Sequence, residues 1–334
     1  MAAAHPHILS TSIDRITSLH PRLLRSLSSS RHFGPTLLHS AGSSFISRVK
    51  LKKQNSPARK LFLCQSMATG SVAQIAGPIY DSKSEPPTLF DGTTRLYISS
   101  KCPYAQRVWI AKNYKGLDHI QLVDINLADR PAWYKEKVYS VNKVPSLEHN
   151  GRVLGESLDL LNYFEEKFDG PPIWPKDDTK NEVARELIEY VDTFNKTGFV
   201  ALSRKDATPT TIEETFGPAL DKLEAALEKY AAEGPFFVGS FSVVDIAYAP
   251  FIERFHIVFE GIKNYTITTG RPQLARWIDA INKLDFYTQT RLPPNTILET
   301  YKKMLENDYF IKVGIVPADQ AKKVEAASQS SAAN

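Results

Sequence analysis

Cysteine is nearly absent, with two in 334 residues, Cys64 and Cys102. That excludes a disulfide scaffold and a thiolate metal cluster. Histidine is thin as well. His5, His7, His20, His32 and His39 crowd the N-terminal end, while His119, His149 and His256 stand far apart. Metal-ligand spacing does not occur, so no metal is expected, and no Ser-His-Asp order is legible. Long apolar runs are missing too. The best candidate, FSVVDIAYAPFIERF, is broken by Asp245, Pro250 and Glu253, which excludes a membrane-spanning helix. Finally, acid is missing from one end. Residues 1–66 hold ten Lys or Arg, thirteen Ser and a single acid, Asp14, for a formal +9. The whole chain is +4, so the remainder carries −5. No nucleic-acid partner is expected of that remainder.

An Arg-rich, Ser-rich, acid-poor segment has the composition of an organelle transit peptide. The expected location is the plastid, with the mitochondrion as alternative and the cytosol if translation starts at Met67. The other reading is a disordered basic tail drawn to anionic surfaces. Neither version builds a core. Cleavage is expected between Arg59 and Ala68, which removes Cys64 and leaves one cysteine.

What is present has a clear order. TRLYIS (94–99) alternates as a strand, and residues 104–115 read as a helix with Pro103 in its first turn. HIQLVDINL (119–127) is a second strand, and RPAWYKEKVYS (130–140) a short helix or turn. VPSLEHNGRVLG (144–155) is a hairpin around Asn150-Gly151, the residue pair preferred by a type I′ turn. ESLDLLNYFEEKF (156–168) is an amphipathic helix with Leu158, Leu161, Phe164 and Phe168 on one stripe. The order β-α-β-α-β-β-α is the thioredoxin-like arrangement. DGPPIWPKDD (169–178) then breaks the chain. Helices are expected over 179–205, 211–232, 242–262, 272–284 and 295–307. The second has an apolar seam of Phe216, Leu220, Leu223, Leu227 and Tyr230. The expected organisation is therefore a transit peptide (1–66), a linker (67–88), an α/β thioredoxin-like domain (89–169), a linker (170–178), an all-α domain (179–314) and a flexible tail (315–334).

This order places Cys102 between the first strand and the first helix, in SSKCPYAQRVWIAK. A second cysteine three residues on would make a redox pair, but that position is Ala105. A free thiol has a pKa of about 8.5, and the thiolate is the nucleophile. A helix N-terminus carries roughly half a positive charge and unpaired N–H donors. Pro103 lacks an N–H at a position where none is needed, and Lys101 adds charge. A lowered pKa is expected. The alternative is a small buried hydrophobe. Being alone, a reactive Cys102 needs an external thiol to resolve its mixed disulfide. Two features bear on that thiol. Val144-Pro145 opens the hairpin, either as a cis-proline presenting backbone groups to an extended ligand or as an ordinary trans one. Ser157 begins a helix, where it either binds a carboxylate or simply caps; Glu156 beside it could pair with an amine.

CPYAQR (102–107), NKVPSL (142–147) and GESLDLLNYFEE (155–166) occur in an order that resembles the glutathione transferase superfamily, over about residues 90–310. Cysteine at the first motif resembles the cysteine-type members, and CPYAQRVWIAKNYKG looks most like the plant lambda class. The resemblance implies the glutathione transferase architecture and glutathione as co-substrate. It implies that Cys102 forms a mixed disulfide with glutathione, and that Arg130 contacts its glycine end. Val144, with Pro145 in cis, would meet the cysteinyl part, and Glu156 and Ser157 the γ-glutamyl end. Ser242–Asp245 matches a structural helix-capping box, and Trp277 reads as core. The implied activity is thiol transfer, which deglutathionylates small S-glutathionylated substrates, aromatic ones among them. Alternatives are dehydroascorbate reduction and a non-catalytic carrier of aromatic or flavonoid ligands. Conjugation fits badly, since a cysteine would trap glutathione as a disulfide. The implied partners are glutathione and a small molecule, with no membrane and a monomeric chain.

Overall fold

The computed structural model describes residues 77–317. The basic segment 1–66 with Cys64, the alternative start Met67 and residues 318–334 lie outside the described residues.

Five strands form one mixed sheet in the order β1-β3-β2-β4-β5. They are β1 (Ile79–Tyr80), β2 (Arg95–Ile98), β3 (Gln121–Ile125), β4 (Ser146–His149) and β5 (Arg152–Gly155). β2 runs parallel to β3, with Leu96 opposite Leu122, and antiparallel to β4, with Leu96 opposite Leu147. A parallel neighbour requires a crossover, and helix α1 (Pro103–Tyr114) supplies it. β4 and β5 close through Asn150 (φ 51°) and Gly151 (φ 70°). Both residues are left-handed, as a type I′ turn demands.

Three stretches differ from the sequence expectation. Residues 79–80, expected within a linker, pair with Asp124 and Ile125 of β3. Ile173, expected in a second linker, is fully buried, and its carbonyl accepts from Val243 N at 2.7 Å. Val316, expected in a flexible tail, is buried, and its N–H donates to the Phe310 carbonyl. In each case tertiary contacts override a locally polar or proline-rich composition.

β2 is buried along its whole length. Arg95 survives there because Glu148, directly opposite in register, accepts from its Nη1 at 3.0 Å and Asp91 from its Nη2 at 2.8 Å. Tyr97 Oη also donates to Glu148 at 2.6 Å. Both guanidinium Nη atoms and the phenol on this strand thus have carboxylate partners, while Arg95 Nε is buried with none among the described residues. Helix α1 is buried continuously from Ala105 to Lys112, because it packs against both α2 (Ser157–Lys167) and the helical half.

That half contains α3 (Asp178–Ser203), α4 (Pro209–Lys229), α5 (Val243–Lys263), α6 (Pro272–Ile281), α7 (Asp285–Thr288), α8 (Pro294–Glu306) and α9 (Tyr309–Lys312). The seam of α4 is buried at Phe216, Leu220, Leu223 and Leu227. α5 is buried all round from Val243 to Phe259, the mark of a central helix. Its start is a capping box. Ser242 Oγ accepts from Val244 N, and Asp245 accepts from Ser242 N at 2.8 Å. Asp245 also accepts from Trp277 Nε1 at 2.7 Å, and Trp277 is core as expected.

Candidate functional site

Cys102 is the N-cap of α1, in extended conformation (φ −90°, ψ 119°), with Pro103 as the first helical residue. Its N–H donates to the Ser99 carbonyl at 2.9 Å, and its carbonyl accepts from Gln106 N at 3.1 Å. The side chain is half-buried, and Sγ lies 3.9 Å from the Val144 carbonyl oxygen. The Val144–Pro145 peptide is cis. Tyr134, from a π-helical turn (Tyr134–Val138), fixes this loop: its hydroxyl donates to the Lys143 carbonyl at 2.7 Å and lies 2.8 Å from Ser146 Oγ.

The expectation of a lowered thiol pKa is corrected here. Burial pushes the Cys102 thiol up, against the pull of the Ala105 and Tyr104 backbone N–H groups and of the Arg254 and Arg107 charges. The helix start acts as expected, but removing sulfur from water outweighs it. Lys101, expected to supply charge, is exposed. The two arginines that do supply it come from α1 and from α5.

The other expected site residues are disposed unequally. Ser157 is the first residue of α2 and is buried, and its Oγ accepts from Arg107 Nη1 at 3.1 Å. It is not the N-cap. Glu156 is, with φ 64°, an exposed side chain and no capping bond. The residue before it, Gly155, packs under Tyr139, whose phenol a Cβ would strike. Arg130 is exposed and donates to the Asn142 carbonyl at 2.5 Å. Cys102 and Val144 therefore meet directly. Ser157 is tied to the helix of Cys102 through Arg107. Arg130 touches its own loop and none of the others.

Sequence reasoning passed over the polar groups beneath the thiol. Arg254 donates from Nη1 to Gln106 Oε1 at 2.6 Å and to the Pro250 carbonyl at 2.8 Å, and from Nη2 to the Lys101 carbonyl at 3.4 Å. Gln106 Nε2 donates to Glu253 Oε2 and to Thr290 Oγ1, each at 3.2 Å. Arg291 closes on Glu253 at 2.5 Å. The clue was the placement of Glu253 and Arg254 inside the most apolar run of the chain. Charged residues in such a run are buried only when paired.

Aromatic rings buried in the core pack behind the half-buried Tyr104. Tyr104 meets Phe251 edge-on at 5.1 Å between centroids, and Phe199 stacks on Phe310 at 4.7 Å. Among the described residues no cluster of His, Cys, Asp and Glu could hold a metal ion, and no helix is long and apolar enough to cross a membrane.

Known proteins share this arrangement. The sequence model described as "Glutathione S-transferase, N-terminal domain" matches residues 96–172, and "Glutathione S-transferase, C-terminal domain" matches 183–280. "Protein IN2-1 homolog B" of Oryza sativa subsp. indica is 57% identical over 218 residues, 65% of this chain and 87% of that protein. "Glutathione S-transferase L2, chloroplastic" of Arabidopsis thaliana is 48% identical over 274 residues, 80% of this chain and 90% of that protein. Among solved structures, glutathione transferase Omega 3C from Trametes versicolor superposes with a TM-score of 0.57 at 24% identity, over 67% of this chain and 93% of that one.

Proposed function

Because this chain belongs to the glutathione S-transferase family, we propose that it is a glutathione-dependent thiol transferase working through Cys102. The observation that carries this reading is Cys102, the one cysteine among the described residues, at the N-cap of α1 with its sulfur 3.9 Å from the carbonyl of Val144. The thiolate attacks the glutathionyl sulfur of a mixed disulfide between glutathione and a small thiol. The substrate S–S bond breaks, and the small thiol leaves with the electron pair and takes a proton. A new S–S bond joins Cys102 to glutathione. A second glutathione thiolate then attacks that sulfur, which releases glutathione disulfide and restores the Cys102 thiolate.

Four residues are proposed to hold glutathione. The Val144 backbone meets its cysteinyl part, and Glu156 and Ser157 meet the γ-glutamyl amine and carboxylate. Ser157 suits the carboxylate because a helix start offers unpaired N–H groups and positive potential. Arg130 is proposed for the glycine carboxylate, which requires it to release the Asn142 carbonyl. Tyr104, half-buried two residues from Cys102 and backed by the buried ring of Phe251, is proposed to meet a flat aromatic second substrate. The same ring supports a second reading, a carrier of aromatic ligands. We further propose that residues 1–66 direct the chain to the plastid, in keeping with the word "chloroplastic" in the name of one relative.

Turnover separates these readings. Full-length protein is expected to reduce a generic glutathione mixed disulfide at steady state, with dehydroascorbate assayed beside it. On the chain lacking residues 1–66, whose one cysteine is Cys102, glutathione disulfide should add a single dithiothreitol-sensitive glutathionyl mass. Aromatic binding without turnover would select the carrier. Turnover of dehydroascorbate alone would select a dehydroascorbate reductase.

A further inference from the structure

Arg107 lies on α1 beyond Cys102 and is only 1% exposed. Its guanidinium carbon sits 4.6 Å from the ring centroid of Phe251 and 5.4 Å from that of Tyr104. Nε donates to the Ala247 carbonyl of α5 at 2.8 Å, and Nη1 to Ser157 Oγ at 3.1 Å. Nη2 is buried with no partner among the described residues. The groups it touches, a carbonyl, a hydroxyl and two ring faces, are all neutral. Burial pushes its pKa down to about 10, so it is still a cation at neutral pH.

A buried cation without a contacting anion is expensive to keep. The contrast with Arg254 and Arg291 is informative, because Glu253 lies beside both. A methionine would fill the slot between the two rings without the desolvation penalty. Asp192 of α3 acts on it through space but makes no hydrogen bond or ion pair with it, so the guanidinium keeps room for a further anion from outside the chain.

We infer that Arg107 is a positioning residue for the proposed glutathione site: it holds Ser157 Oγ as an acceptor, which leaves the hydroxyl proton for the γ-glutamyl carboxylate, and its charge, with no carboxylate in direct contact, favours that carboxylate and the Cys102 thiolate. A serine hydroxyl has one proton and two lone pairs, and a guanidinium can only donate. The bond from Nη1 thus forces the serine proton elsewhere and polarises it. The carboxylate would then meet a hydroxyl already turned to donate, at the start of a helix. The same guanidinium is one of the two charges that pull the Cys102 thiol down. A lysine would keep the charge but not the planar fork that reaches Ala247 and Ser157 together.

This inference rests on the thiol-transferase reading, and its test separates the two. Full-length wild type, Arg107→Lys, Arg107→Met, Ser157→Ala and the Arg107→Lys/Ser157→Ala double variant are compared in three measurements. These are KM and kcat for glutathione in thiol transfer, the midpoint pH of Cys102 alkylation by iodoacetamide, and intact mass after glutathione disulfide. Arg107→Lys should raise KM for glutathione on the order of tenfold while the alkylation midpoint stays at the wild-type value. Arg107→Met, which also removes the charge, should raise KM further and move the midpoint upward. Ser157→Ala should raise KM alone, and the double variant should be no worse than either single one, since both break one contact. A merely structural arginine would lower the melting temperature and leave the KM and midpoint of the folded fraction unchanged, which overturns the inference. Should Arg107→Met fail to fold, the lysine and serine variants decide: additive losses overturn the inference. If wild type takes no glutathione on Cys102, the parent reading falls and this one with it. Wild-type uptake with unchanged variants overturns the inference alone.

Discussion

At Cys102 the helix start and the interior act in opposite directions. The Ala105 and Tyr104 N–H groups and two buried arginines favour the thiolate, and burial of the sulfur disfavours it by more. A raised thiol pKa means that the folded chain holds this proton more tightly than the unfolded chain. Thiol transfer should therefore rise with pH through an ionisation above the ordinary thiol range. A kcat/KM profile levelling off below that range would contradict the burial argument. Replacing the sulfur tests the chemistry itself. In Cys102→Ser a hydroxyl cannot attack a disulfide, so reduction should vanish. The hydroxyl can donate to the sulfur of bound glutathione, and such charge-assisted bonds contribute roughly 1.5–3 kcal/mol. By about 1.4 kcal/mol per pKa unit, the bound thiol would fall by roughly one to two units. The serine variant is thus expected to gain conjugation of chlorodinitrobenzene, assayed beside thiol transfer in both proteins. Retained reduction in the variant would show that Cys102 is not the nucleophile.

Helix α5 concentrates its polar demands on one carboxylate. Asp245 accepts from Ser242 N, Phe237 N and Trp277 Nε1, and burial pushes its pKa up to about 6 despite those bonds. The unfolded value is about 3.9. Between these values the folded chain holds the proton and the unfolded chain does not, so stability falls as pH rises across that window. The limit is on the order of 3 kcal/mol. Urea unfolding of wild type and Asp245→Asn from pH 4 to 7.5 should show the difference between them changing in this sense and flattening above about pH 7. At neutral pH Asp245→Ala should still be the less stable protein, by about 2–4 kcal/mol, because four buried donors, Ser242 Oγ among them, lose their acceptor.

Across the whole molecule, α1 belongs to both halves. It crosses the sheet's parallel connection and is pinned to the helical half by Gln106, Arg254, Glu253, Arg291 and Thr290. The halves should accordingly unfold together, with tryptophan fluorescence and far-UV circular dichroism giving one coincident urea transition. Gln106→Ala leaves Arg254 and Glu253 short of partners and should lower that transition by about 2–3 kcal/mol without splitting it. Two separated transitions would show that the junction is weak. The charge imbalance is also a property of the whole chain. With +9 over residues 1–66, protein isolated from plastids should begin between residues 59 and 69 by N-terminal sequencing. Intact residues 1–50 on that protein would contradict the leader.

Local patterns were legible where short-range physics decides. Asn150-Gly151 specified the turn, Pro103 the start of α1, the seam of Phe216, Leu220, Leu223 and Leu227 a helix face, and Ser242 with Asp245 a cap. Each depends on residues within a few positions of one another. The candidate thiol was legible for the same reason, since Cys102 and its helix are neighbours in sequence. The pairing of residues 79–80 with β3 was not, because two extended residues reveal nothing about which sheet edge is free. Nor was the sign of the Cys102 shift, which depends on what covers the sulfur. The buried arginines lay furthest out of reach. Arg107 gains its meaning from Ser157 and Ala247, and Arg254 from Gln106 and Lys101. Local sequence determined the elements and the position of the candidate thiol; only the packing of α1 against α2 and α5 decided the electrostatics around it, because charge acts through space and burial is set by partners distant in the chain.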